Sequence, residues 1–118
     1  MNFFMWGALS GCIVIILGAF GAHALKEVLD DYSKSIFNKA VLYQMFHTLA
    51  ILVIGIISKI QPELHLSLSG WSFLIGIIVF SGSLYLLSIT GIKTFGAITP
   101  IGGTLFIIGW IILFFKTI

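Results

Sequence analysis

The chain is 118 residues long, 59% of them hydrophobic and only 8% charged, where a soluble domain carries roughly a quarter. A domain of this size leaves about a third of its unfolded surface in water, and its few charged side chains cannot clothe it. Composition therefore excludes a soluble globular domain, a disordered chain and a disulfide scaffold. A net charge of +2 without any arginine excludes the clustered basic surface that nucleic acid requires.

Four apolar windows follow one another, at about 3–25, 40–58, 66–92 and 94–115, and all Asp, Glu and Lys residues fall outside them. Crossing ~30 Å of hydrocarbon takes ~20 helical residues, so each window is long enough. Helices are the expected form, because a helix satisfies its own backbone in lipid and the alternation of a strand is absent. The first window, Phe3–Leu25, contains His23, and Ala22-His23-Ala24 fits a cleavage pattern. No Lys or Arg precedes it, and it exceeds the ~7–15 apolar residues of a signal peptide, so it is read as a retained span. Cys12 lies within it; one cysteine allows no internal disulfide, and the residue is read as a small buried hydrophobe.

The first connection, Lys26–Lys39, carries charges beside Leu25, Val28, Leu29, Tyr32, Ile36 and Phe37 at helical spacing. It is expected to form a short amphipathic segment that lies along the headgroups or prolongs the flanking helices. Asp30, Asp31 or Ser33 can cap the helix that follows. The second connection, Lys59–His65, contains Pro62 and reads as a turn. The third is little more than Gly91–Lys93, so the last two windows form a hairpin. The expected fold is all-α: a single integral membrane domain in which four transmembrane helices run antiparallel, up and down. Lys26, Lys34, Lys39 and Lys93 lie on one side, Lys59 and Lys116 on the other; this bias favours the first and third connections in the cytoplasm and both termini outside. Trp6, Trp71 and Trp110 fall toward the terminal face and read as interfacial anchors, as do Tyr32, Tyr43 and Tyr85 at the opposite face.

Polar residues inside the windows are the candidate site. At ~1.5 Å per residue from the first and third connections, His23, Gln44, Thr99, Tyr85, His47, Ser83 and Ser81 are all expected in one leaflet. Tyr43, Gln44, His47 and Thr48 share a helix face, and Ser81, Tyr85 and Ser88 share another. The two faces are expected to meet, since polar groups in hydrocarbon must be paired. His47 is the sharpest candidate. An imidazole in the membrane can relay a proton or bind a ligand, or it can be a neutral ring that holds helices together. His23 can reach the headgroups. A metal site wants three or four ligands, and no cysteine or carboxylate is near, so no metal and no cofactor is expected.

Gly7, Gly11, Gly18, Gly21, Gly96, Gly102 and Gly103 are read as helix-packing residues, because small residues let backbones approach. Thr99-Pro100 is a second helix-start signal. If the last helix began there, its free N–H groups would face the polar residues and favour an anion.

Four strings are distinctive: Gly18-Ala19-Phe20-Gly21-Ala22-His23, Tyr43-Gln44-x-x-His47, Phe80-Ser81-Gly82-Ser83-Leu84-Tyr85 and Ile98-Thr99-Pro100-Ile101-Gly102-Gly103. In this order they resemble the YgdD/YwdK-like family of small bacterial inner-membrane proteins, a domain of unknown function with a vertebrate transmembrane relative. The resemblance spans nearly the whole chain. It implies a four-helix protein of the inner membrane and no reaction, substrate or cofactor.

Three functions stay open. The first is a non-enzymatic membrane protein whose polar cluster binds a lipid headgroup, small metabolite or ion. The second is a structural protein that docks partner helices, in a homo-oligomer or on another membrane protein, through its glycine faces. The third and most remote is an intramembrane hydrolase that uses Ser81 or Ser83 with His47, which requires the hydroxyl and imidazole within ~2.6–3.2 Å. In each case the lipid bilayer is the first partner.

Overall fold

The computed structural model describes residues 2–118. Four helices long and apolar enough to cross a membrane make up a bundle: α1 (Phe3–His23), α2 (Asp31–Ile60), α3 (Ser67–Thr90) and α4 (Thr94–Thr117). The bundle is 49 Å long, close to the ~40–45 Å of a bilayer with its headgroups.

Local chemistry sets the ends. The Asn2 side chain accepts the Met5 N–H at 3.2 Å and starts α1. Asp30 starts α2: its backbone is extended and its carboxylate accepts the Ser33 N–H at 2.7 Å. The Ser33 amide, then its hydroxyl, hold the Asp30 carboxyl below the usual carboxylate range. The charged stretch Lys26–Lys39 divides at this cap. Its first residues are turns beside buried Leu25, and residues 31–39 are the opening of α2. The second helix is therefore 30 residues long, well beyond the apolar window inside it.

After α2, Pro62–Leu64 forms one 3-10 turn, and His65 takes the left-handed conformation at φ 49°. Gly91 ends α3 at φ 71° and donates its N–H to the Leu87 carbonyl at 2.8 Å. A residue with a Cβ is strained there.

In the middle of α3, Ile77–Ser81 is a π-helical segment. Five turns of plain α-helix take ~18 residues, and a π insertion absorbs one more. Ser69 and Ser88 are 19 residues apart, and both face inward, as do Phe73, Ile77, Ser81 and Leu84. The π segment keeps that whole row on one face. Helix α4 runs unbroken from Thr94 through Pro100. The start expected at Thr99-Pro100 is not used, so no free helix N-terminus faces the polar residues. Pro100 only removes the N–H that the Gly96 carbonyl would otherwise take.

Helix α1 packs on α2, both faces of α3 are used by α2 and α4, and the backbones of α2 and α4 scarcely approach each other. Along α1 and α2 the facing pairs are Gly7 with Leu52, Gly11 with Thr48, Gly18 with Val41 and Gly21 with Phe37. A Cβ on Gly7 would stand 2.7 Å from Leu52 Cδ2, and one on Gly21 would enter the Phe37 ring. Gly11 and Gly18 have ordinary contact at 3.7 Å. Between α3 and α4, Gly102 lies against the Phe80 backbone, with no room for a Cβ, while Gly96 is 3.3 Å from Leu87 and Gly103 3.7 Å from Phe80. Gly55, Gly70, Gly76 and Gly109, not singled out from the sequence, are as tightly filled: a Cβ on Gly55 would stand 2.8 Å from the Phe4 backbone nitrogen.

An apolar core of Phe3, Ile51, Ile54, Leu66, Phe73, Ile77 and Phe106 fills the interior. The outer surface is apolar too, with Ile15, Ile16, Leu42, Ile78, Ile107 and Phe115 among its exposed side chains. Cys12 also lies exposed on α1 rather than buried. In water such a surface would drive aggregation; against acyl chains it is matched to its solvent. The polar side chains are sorted inward, which is the arrangement that hydrocarbon imposes.

Candidate functional site

The polar groups form separate knots at neighbouring interfaces of α2. Gln44 occupies one and is 4% exposed. Its amide Nε2 donates to Ser10 Oγ at 3.2 Å and to the Ser10 carbonyl at 3.3 Å. Its Oε1 accepts the Tyr85 hydroxyl at 2.7 Å. Ser10 Oγ also lies 2.6 Å from Thr48 Oγ1. One amide thus ties α1, α2 and α3 together.

His47 occupies the other. Its Nδ1 lies 2.8 Å from the Tyr43 carbonyl. A carbonyl only accepts, so Nδ1 carries the proton. Its Nε2 is then the free lone pair, and it accepts the Trp110 indole N–H at 3.0 Å. The ring lies flat on Phe106, with centroids 3.6 Å apart and planes 5° apart. A neutral imidazole with both nitrogens engaged joins α2 to α4.

Serines make the remaining ties. Ser81 donates to the Ala40 carbonyl and Ser69 to the Gly109 carbonyl, both at 2.8 Å. Ser83 donates to the Phe80 carbonyl at 2.9 Å and lies 2.6 Å from Thr99 Oγ1. Among the described residues, every buried side-chain nitrogen or oxygen has a hydrogen-bond partner.

The expected gathering is thus only partly realised. Gln44 meets Tyr85, Ser83 meets Thr99 and Ser81 reaches α2, but His47 shares no hydrogen-bond partner with Gln44. Three residues along a helix turn a side chain by ~300°, a net separation of only ~60°, so the two share a face of α2 and yet reach adjacent interfaces, Gln44 toward α1 and α3 and His47 toward α4. His23, at the exposed last turn of α1, joins neither knot. Beyond the residues expected in one leaflet, Ser10, Ser69 and Ser72 are buried as well, and inward-facing polar groups line α3 from Ser69 to Ser88 over roughly 28 Å. Ser10 and Phe106 are partners not among those expected from the sequence, and Trp110, an interfacial anchor by its position along the chain, turns its indole N–H to His47. The signal for Ser10 was a lone hydroxyl between Gly7 and Gly11 in an apolar run. Nothing in the sequence marks which way the Trp110 indole points.

No group of three or more His, Cys, Asp or Glu side chains that could hold a metal occurs among the described residues. Neither Ser81 nor Ser83 is bonded to His47, whose partners are the Tyr43 carbonyl and Trp110.

The strings that carry the sequence resemblance frame these knots, and they fall in the segment that matches a family model. Residues 17–103 match the family described as Protein of unknown function (DUF423). The chain belongs to this family. It is similar to a UPF0382 membrane protein of Staphylococcus aureus (strain bovine RF122 / ET3-1), 50% identical over 115 residues, which cover 98% of this chain and 93% of the relative. A UPF0382 membrane protein of Staphylococcus epidermidis (strain ATCC 12228 / FDA PCI 1200) is 48% identical over 116 residues, 98% of this chain and 94% of the relative. One of Staphylococcus haemolyticus is 46% identical over 115 residues, 98% and 93% of the two chains. No solved structure matches the chain. This DUF423 protein is a multi-pass protein of the cell membrane, with hydrogen-bonded polar residues buried among its transmembrane helices.

Proposed function

We propose that this DUF423 protein is a non-enzymatic binding protein of the cell membrane whose polar interior is structural and whose ligands are met inside the bilayer. The observation that carries this reading is that, among the described residues, no buried polar side-chain atom lacks a partner within the chain. A site for an ion, metabolite or headgroup needs polar groups with bonding capacity to spare. Gln44 and His47 have spent theirs on neighbouring helices. Catalysis by a serine and an imidazole is disfavoured because neither Ser81 nor Ser83 contacts His47.

The helices cross the membrane up and down, antiparallel. Residue sums support this: in each facing pair of α1 and α2, from Gly21 with Phe37 to Gly7 with Leu52, one number rises as the other falls. The lysine bias supports termini outside, with the turns after α1 and the charged opening of α2 among cytoplasmic headgroups.

The test is a thermal-unfolding screen of purified protein with inorganic phosphate, magnesium, zinc and nucleotides in one arm and membrane-soluble compounds in the other. Only the second arm should raise the unfolding temperature saturably. A saturable shift by a water-soluble compound that Gln44→Leu abolishes would overturn the reading.

A further inference from the structure

Because α2 and α4 stand apart on the two sides of α3, a groove of about 710 Å³ remains between them. It opens at mid-helix, between the exposed side chains of Leu42 and Ile107, where the surrounding medium is hydrocarbon. Its volume falls in the ~300–1,000 Å³ range of small-molecule sites.

The dimensions say what kind of occupant fits. On α2 the lining runs from Leu42 to His47 and on α4 from Pro100 to Trp110, about 8 Å and 15 Å of helix. A helix that spans the bilayer is about 30 Å long, two to four times the lined stretches. The groove matches the length of a compact group more closely than that of a helix.

The lining says more. Its wall is built from the rings of Tyr43, Phe46, His47, Phe80, Phe106 and Trp110. An acyl chain gains nothing particular from ring faces, whereas a planar ring stacks on them or meets them edge-on. The polar capacity of the wall is small. Both His47 nitrogens are engaged, and the Thr104 hydroxyl donates to the Pro100 carbonyl at 2.9 Å. The Tyr43 hydroxyl makes no hydrogen bond among the described residues, and the residue is 39% exposed. It is the one lining side chain left to donate to an acceptor oxygen.

We infer that this groove binds a membrane-soluble molecule with a planar, carbonyl-bearing ring and an apolar tail, the chemistry of an isoprenoid quinone. The ring lies against the aromatic wall, a ring carbonyl accepts the Tyr43 hydroxyl, and the tail runs out of the open side into the bilayer. The inference rests on the reading that the protein binds its ligand within the membrane, and names the class.

Gly103 offers a way to close the groove. A Cβ there meets the Phe80 ring only at 3.7 Å, an ordinary contact, so a side chain can start at this lining position and extend into the groove. The experiment uses full-length protein with Trp6→Phe and Trp71→Phe, which leaves Trp110 as the only tryptophan, in phosphatidylglycerol nanodiscs. A naphthoquinone with a short alkyl tail is titrated while Trp110 fluorescence and the unfolding temperature are followed. The expected result is saturable quenching, weakened roughly 2- to 10-fold by Tyr43→Phe and lost in Gly103→Leu at unchanged unfolding temperature. Thr104→Phe, a substitution at an exposed position, closes the same space if Gly103→Leu folds poorly. Quenching that is linear, or equal in the closed variants, overturns the inference, because it reports only partition into the bilayer. Equal competition by the same tail on a cyclohexane ring overturns it in favour of a plain acyl chain, and leaves the membrane-binding reading standing. A dimer that Gly103→Leu dissociates, without saturable quenching, overturns it in favour of a second copy.

Discussion

Trp110 donates its indole N–H to Nε2 of His47 across 3.0 Å, and this single bond bridges two helices whose backbones hardly approach. It also fixes the chemistry of His47. With Nδ1–H on the Tyr43 carbonyl, the imidazole is neutral and has no nitrogen to offer.

If that bond holds α4 in place, Trp110→Phe should lower stability in detergent micelles. Interhelical hydrogen bonds in membranes average ~0.6 kcal/mol and reach ~1.7. A coupling energy in that range is expected from a double-mutant cycle of Trp110→Phe and His47→Phe, measured by reversible unfolding. Zero coupling would mean that the stack on Phe106, rather than the hydrogen bond, positions the imidazole.

Gln44→Leu should destabilise more, because it leaves the Tyr85 hydroxyl without its acceptor and removes both bonds to Ser10, whose hydroxyl keeps Thr48. Adding Tyr85→Phe should recover part of the loss: leaving one partner unsatisfied costs about 1–3 kcal/mol, whereas removing both can be nearly neutral. The comparison of the single and double variants by unfolding decides whether the knot is structural. A double variant that is worse than the sum of the singles contradicts it.

Two glycines, Gly82 on α3 and Gly102 on α4, should respond in opposite directions. A Cβ on Gly102 enters the Phe80 backbone, and backbone cannot move aside as a flexible side chain can. Gly102→Ala should cost about 1–3 kcal/mol, as overpacking does. A Cβ on Gly82 meets nothing within 4 Å, and its backbone is right-handed helical. Gly82→Ala should be neutral or stabilising by up to about 1 kcal/mol through helix propensity. Unfolding temperatures of the two variants provide the check.

The Asp30 cap should be pH-dependent. The carboxyl titrates below its ordinary value because the ionised form accepts the Ser33 N–H. Its contribution is therefore fully present above the ordinary carboxylate range and is lost as pH falls through the lowered value. The Ser33 amide resonance should shift in that acidic window, and Asp30→Asn should remove the titration while keeping a cap. A Ser33 shift that tracks an unperturbed carboxylate would contradict the assignment.

The division of labour between sequence and fold follows from the solvent. Hydrocarbon excludes charge and demands a satisfied backbone, so the apolar windows determine four helices and the inward sorting of Gln44, His47 and the serines, though not the charged opening of α2 at residues 31–39. The caps and turns at Asp30, Pro62 and Gly91 are legible for the same kind of reason, since each is local chemistry. Which polar group meets which is another matter. Gln44 and His47 look like one site on a helical wheel, yet α1 and α3 claim the amide while α4 claims the imidazole. The π segment at Ile77–Ser81 re-phases α3, and the tight contacts at Gly55, Gly76 and Gly102 set how near the rods lie. Those choices depend on packing between residues tens of positions apart, where many registers satisfy the same pattern and only one fills the interior.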